Sequence, residues 1–121
     1  MRIISALVFS AIAMAITPAV SQAMENTFSS VERQAMAGDY QAQRNLAYGY
    51  ASWPYKGQDK NPLLGCAWYL VVLNSGSPRV GEGDVGNVRV YCEKLDSNSQ
   101  SAAKAQAHLL YKKIYNSLPK F

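Results

Sequence analysis

The sequence predicts an all-α fold, a short stack of antiparallel helical hairpins of about five helices closed by one disulfide. Three observations predict it. Apolar residues recur at spacings of three and four in Tyr40 to Tyr50 and again near the C-terminus, the period of a helix with one buried stripe. Helix caps and helix stops bracket the segments between: Asp39 and Asn61-Pro62 at starts, Gly38 and Gly76 at ends. Finally, 121 residues with 49% hydrophobic and 17% charged side chains suffice for one compact domain. That size excludes a two-domain enzyme, and that composition excludes wholesale disorder.

At the N-terminus, Arg2 precedes an apolar stretch reaching Val20, then Pro18 leads into Ser21-Gln22-Ala23, which has small residues where a signal peptidase reads. Residues 1–23 therefore read as an export signal cut after Ala23. The unbroken run from Ala6 to Ile16 is too short for a bilayer, so no stable membrane insertion is expected after cleavage. The junction has no cysteine, which argues against a lipid anchor. Residues 24–121 are then a single periplasmic or secreted domain. It would carry 11 basic and 8 acidic side chains, a net +3 with the cations scattered, so nucleic acid is not an expected partner.

Within that domain, order is expected to begin near Phe28 or Val31. Val31 to Ala37 is built of good helix formers and stops at Gly38. Asp39 caps a second helix, in which Ala42, Leu46 and Tyr50 form the apolar stripe and Gln41, Arg44, Asn45 and Tyr48 point elsewhere. Ala51 to Gln58 contains Pro54 and Gly57 and reads as a loop carrying Trp53 and Tyr55. A third helix should run from Pro62 to about Ser75. Its centre, Leu63 to Leu73, is apolar on every side, as in a helix buried from two directions. A buried strand fits that run as well, and Val88 to Cys92 alternates like a half-exposed strand. The helix cap and stop favour helix. Ser77 to Gly86 reads as a loop, with Asp84 capping a short fourth helix to Lys94. Ser97 to Gln100 forms a capping box for a last helix, with Ala103, Ala107, Leu110, Ile114 and Leu118 on its apolar face.

Cys66 and Cys92 are the only cysteines, and in an oxidising compartment they are expected to be bonded. Such a loop stabilises a small domain by roughly 3 kcal/mol in the chain-entropy model.

The chain also has a faint internal period. Ala35-x-x-Gly38-Asp39-x-x-Ala42-Gln43-x-x-Leu46-Ala47-x-x-Tyr50, then Gly57, Asp59, and Gly65-x-x-Trp68-Tyr69 before Gly76 resemble the Sel-one-like repeat, a tetratricopeptide-like helical hairpin. The resemblance covers one full repeat, 35–76. Residues 77–96 would be a degenerate second repeat and 97–118 a closing helix. Gly38, Ala42, Leu46, Tyr50, Gly65, Trp68 and Gly76 would be its structural positions, the small ones permitting close approach and the large ones filling the space between helices. The chain departs from the family at Ala47, Gly65 and Val72-Leu73. In such a stack the third and fourth helices are antiparallel, which brings Cys66 and Cys92 to similar heights.

Chemistry is sparse. Gly81 to Gly86 fits G-x-G-x-x-G literally, but no βαβ unit surrounds it and its two carboxylates would repel phosphate. Glu82 and Asp84 alone make a poor calcium site. His108 is the only histidine and reads as a surface side chain, so no zinc site or Cys/His nucleophile can be assembled, and no G-x-S-x-G or S-x-x-K motif is present in the exported part. No catalytic residue, metal or cofactor is expected. Arg44, Tyr48, Trp53, Tyr55 and Lys56 form the candidate binding patch, with residue types that dominate protein contacts. The alternative is that Trp53 and Tyr55 fold back as a lid on the core. The expected function is an exported adaptor binding a protein or peptide of the periplasm or envelope. The alternatives are an inhibitor or immunity-type protein with Trp53-Pro54-Tyr55 as its plug, or, as the resemblance implies for some exported members, a penicillin-binding or β-lactam-hydrolysing protein.

Overall fold

The computed structural model describes residues 27–121, and the expected export signal and its cleavage point lie outside the described residues. Five helices follow in order: α1 (Phe28–Met36), α2 (Tyr40–Ala51), α3 (Pro62–Leu73), α4 (Glu82–Glu93) and α5 (Ser97–Tyr115). No strand occurs among the described residues. The fold is an all-helical stack. Val88 to Cys92, whose alternation also suited a strand, lies within α4.

Capping explains most boundaries. Thr27 accepts from the Ser30 amide, Asp39 from Ala42 and Asn61 from Leu64, and Pro62 occupies the first turn of α3, where its missing N–H costs nothing. Gly38 and Gly76 adopt φ of +91° and +77°, a region only glycine enters cheaply, directly after α1 and α3. Two starts differ from expectation. Asp84 does not cap α4; it is the third helical residue, and its carboxylate accepts from the Gly81 amide 3.1 Å away. Gly81 to Gly86 is thus the opening of a helix, not a loop. The last helix is capped by Asp96, which accepts from both the amide and the hydroxyl of Ser99, while Gln100 donates to the Leu95 carbonyl. These hydrogen bonds hold the fully exposed Asp96 carboxyl below its ordinary 3.8.

Helix α3 is the hub. It packs against α2, α4 and α5, which is why its sequence has no polar face: Cys66, Ala67, Trp68, Tyr69, Val71 and Val72 are all buried. Its approach to α2 is set by Gly65. A Cβ there would lie 2.8–3.0 Å from the Cβ, amide nitrogen and Cα of Ala51. On α2, Ala42 and Leu46 are buried as their stripe requires, while Tyr50 is half-buried, edge-on to Phe28. The stripe of α5 buries Ala103 and Ala107 against α3, but the helix stops at Tyr115, so Leu118 lies beyond it and is 73% exposed. His108 is not a free surface side chain: it is half-buried, edge-on to Phe121 at 4.9 Å, with Nε2 on the Phe121 backbone oxygen.

Cys66 and Cys92 are bonded, with Cα atoms 5.0 Å apart, near the start of α3 and the end of α4. The bond matters most to α4, whose only other buried residue is Asp84.

Candidate functional site

Helices α2 and α4 both flank α3 but scarcely touch each other, leaving a groove between them floored by α3. The groove is pinned at one end. Asp84, 2% exposed, accepts a 2.7 Å hydrogen bond from the Tyr40 hydroxyl and pairs with the Arg44 guanidinium at 3.2 Å, tying the start of α4 to the start of α2. Arg79 lies over the Tyr40 ring at 4.8 Å and donates to Gln41 at 3.3 Å, adding a second cation at that end. Burial, with the hydrogen bond to Asp84, raises the Tyr40 hydroxyl above its ordinary 10.0.

Farther along, Arg44, Asn45, Tyr48, Tyr69, Asn87 and Tyr91 surround a hollow of about 280 Å³. Tyr69 is buried, and burial pushes its hydroxyl well above 10.0. Its ring stacks on Tyr91 at 4.9 Å, and the Lys94 ammonium covers Tyr91 at 4.8 Å. The Asn87 side chain makes no hydrogen bond within the described residues, so its amide is available to whatever enters.

A second hollow of about 330 Å³ shares Asn45 and Tyr48 and is completed by Trp53, Pro54 and Tyr55. Its loop is held from below by Gln58, a buried residue that sequence reasoning passed over because glutamine is ordinarily a surface side chain. Gln58 donates to the Leu46 carbonyl at 3.2 Å and accepts from the Tyr55 amide at 3.0 Å. It fits because Gly49 has no Cβ, which would stand 2.2 Å from the Gln58 Oε1. Gly49 opposite a buried Gln58 was the one available signal, and it requires knowing that the two meet. Gln43, which belongs to the repeat-like motif but is not among its structural positions, is fully buried; it donates to the Ala35 carbonyl and the Tyr115 hydroxyl, joining α2 to α1 and α5.

The five candidate binding residues separate into three groups. Arg44 and Tyr48 line the groove, Tyr48 at 47% exposure. Trp53 and Tyr55 divide the two sequence alternatives between them: Trp53 is 76% exposed, whereas Tyr55 is half-buried and packs on the core while its edge still lines the second hollow. Lys56 is exposed at the turn and lines neither hollow. The site thus offers aromatic surface, amide groups and a half-exposed guanidinium, with no group placed as a nucleophile beside a base. Among the described residues, no three His, Cys, Asp or Glu side chains come together as a metal site would require, and no helix is long and apolar enough to cross a membrane. Comparison of the chain with protein-family models, with curated proteins and with solved structures found no match.

Proposed function

We propose that this protein is an exported, non-catalytic adaptor of the Sel-one-like type that holds a segment of another envelope protein in the groove between α2 and α4. One observation carries the reading. Trp53 is 76% exposed on a loop that Gln58 locks to the body of the domain. An indole this exposed contributes little to folding, and a rigid loop lowers the ordering cost of binding, so the arrangement suits a contact anchor. Tyr48 and Arg44 extend that anchor along the groove. The same rigid Trp53-Pro54-Tyr55 projection favours the inhibitor-type reading as the alternative, in which the loop enters a partner's cleft instead of a partner segment entering the groove.

The test is crosslinking of the full chain in the periplasm, recovery of its partners, and repetition with Trp53→Ala and Tyr48→Ala. Both variants should fold normally, because exposed substitutions stay within about 0.5 kcal/mol. Loss of one specific partner with both variants supports the groove; loss with Trp53→Ala alone favours the plug; unchanged recovery refutes the patch. Hydrolysis of a β-lactam reporter by the pure protein would overturn the non-catalytic reading.

A further inference from the structure

The hollow at the α2–α4 groove and the Trp53 hollow meet at Asn45 and Tyr48, and a third, of about 280 Å³, meets the groove at Tyr91, where Lys60, Pro62, Lys94 and Leu95 continue its walls. The charged side chains lining the three are Arg44, Lys60 and Lys94, all cations, in a chain with eight Asp and Glu. No carboxylate lines any of them. Asp84, which partners Arg44, is buried behind the wall, and Arg79 adds a further cation at that end.

Resting on the peptide-binding reading above, we propose that the groove selects an extended acidic peptide segment, with carboxylates meeting Arg44 and Arg79 at one end and Lys60 and Lys94 at the other. Two features specify a peptide as the anionic occupant. Asn45 of α2 and Asn87 of α4 both line the hollow; the Asn87 amide offers a donor and an acceptor to a peptide group, and Asn45, whose Oδ1 already accepts from Gln41 at 2.9 Å, offers its N–H donors. A single-stranded nucleic acid would need a run of free ring faces for its bases, and with the Tyr91 ring covered by Tyr69 on one side and the Lys94 ammonium on the other, only Tyr48 and Trp53 are left, both on the α2 side. What Tyr91 gives the groove is edge and hydroxyl. The exposed Trp53 face remains for one apolar side chain of the segment. Because Lys60 and Lys94 stand at one end with no carboxylate in the lining, and Arg79 adds a cation to the Arg44–Asp84 pair at the other, a basic segment would meet repulsion at both ends.

The experiment is selection of a displayed library of random nonapeptides on the immobilised full chain, on Trp53→Ala, and on Lys60→Glu/Lys94→Glu, whose two sites are exposed and whose folding is checked by circular dichroism because Lys94 covers Tyr91. The expected result is a pool selected in a Trp53-dependent manner, with Asp and Glu enriched about twofold or more over the input. The double variant should cancel or reverse that enrichment. A Trp53-dependent pool of unchanged or basic composition overturns the acid selectivity while leaving the binding reading standing. A library that yields no Trp53-dependent pool overturns both. Displacement of the selected peptides by an equal concentration of nine-residue oligothymidylate would overturn the peptide assignment in favour of nucleic acid.

Discussion

Replacing Gly65 with alanine should destabilise the domain, whereas the same replacement at Gly86 should stabilise it. Both glycines lie inside helices, α3 and α4, so each substitution gains about 1 kcal/mol of helix propensity. The difference is in what the new methyl meets. At Gly86 nothing lies within 4 Å. At Gly65 it would stand 2.8 Å from the Cβ of Ala51, 2.9 Å from its amide nitrogen and 3.0 Å from its Cα, and backbone atoms cannot rotate aside. Overpacking of this kind costs roughly 1–3 kcal/mol, and here the upper half of that range applies because α2 itself must move. The net cost at Gly65 is then about 1–2 kcal/mol, against a net gain of about 0.5–1 kcal/mol at Gly86. For a domain of this size each kcal/mol moves Tm by roughly 4–8 °C. Thermal unfolding followed by far-ultraviolet circular dichroism, with the disulfide intact, should show Gly65→Ala lower by about 5–15 °C and Gly86→Ala higher by a few degrees. Shifts in the same direction would refute the claim that α2 and α3 meet at Gly65.

Three other outcomes are expected. Asp84→Ala leaves the Arg44 guanidinium half-buried without its partner and frees the Tyr40 hydroxyl and the Gly81 amide, so chemical denaturation should show a loss of about 2–3 kcal/mol, tempered by the partial exposure of Arg44. Reducing the Cys66–Cys92 bond, or replacing both cysteines with alanine, should cost about 2–4 kcal/mol, and hydrogen exchange should place the largest loss of protection in α4, which buries little else. In alkali, Tyr69 stays protonated in the folded state while it ionises at its ordinary 10.0 in the unfolded chain, so its contribution is complete below pH 10 and declines as pH rises above it. Denaturation across pH 9–12 should therefore show a steeper alkaline decline for the native protein than for Tyr69→Phe, and identical slopes would refute the burial of that hydroxyl.

The local signals read well. Asn61-Pro62 and Gly76 mark α3 within two residues, Gly38 ends the turn after α1, and the apolar surround of Leu63 to Leu73 correctly announces a helix packed from several sides. Errors fell where two local readings compete. Asp84 and Ser97 are both good caps by type, yet the chain caps its helices earlier, three residues before at Gly81 and one before at Asp96, because Asp84 is drawn inward to Arg44 and Tyr40 and Gln100 is used on the Leu95 carbonyl. The burial of Gln43 and Gln58 was illegible, even with Gln43 inside the repeat-like motif, since nothing within a few residues of either one indicates that it is buried. Trp53 and Tyr55 were interchangeable as loop aromatics until packing turned one out and the other in.

The amino-acid order alone determined that this chain is helical, where its helices turn, and that two cysteines join α3 to α4, because caps, glycine turns and apolar period act over one or two helical turns. Only the tertiary structure decided the groove. Its pin joins Tyr40 to Asp84, 44 positions apart, and its walls belong to helices that meet through α3 and scarcely through each other. Contacts of that separation depend on how closely Gly65 lets α3 approach Ala51, a distance set by packing in three dimensions and by no local preference of the chain.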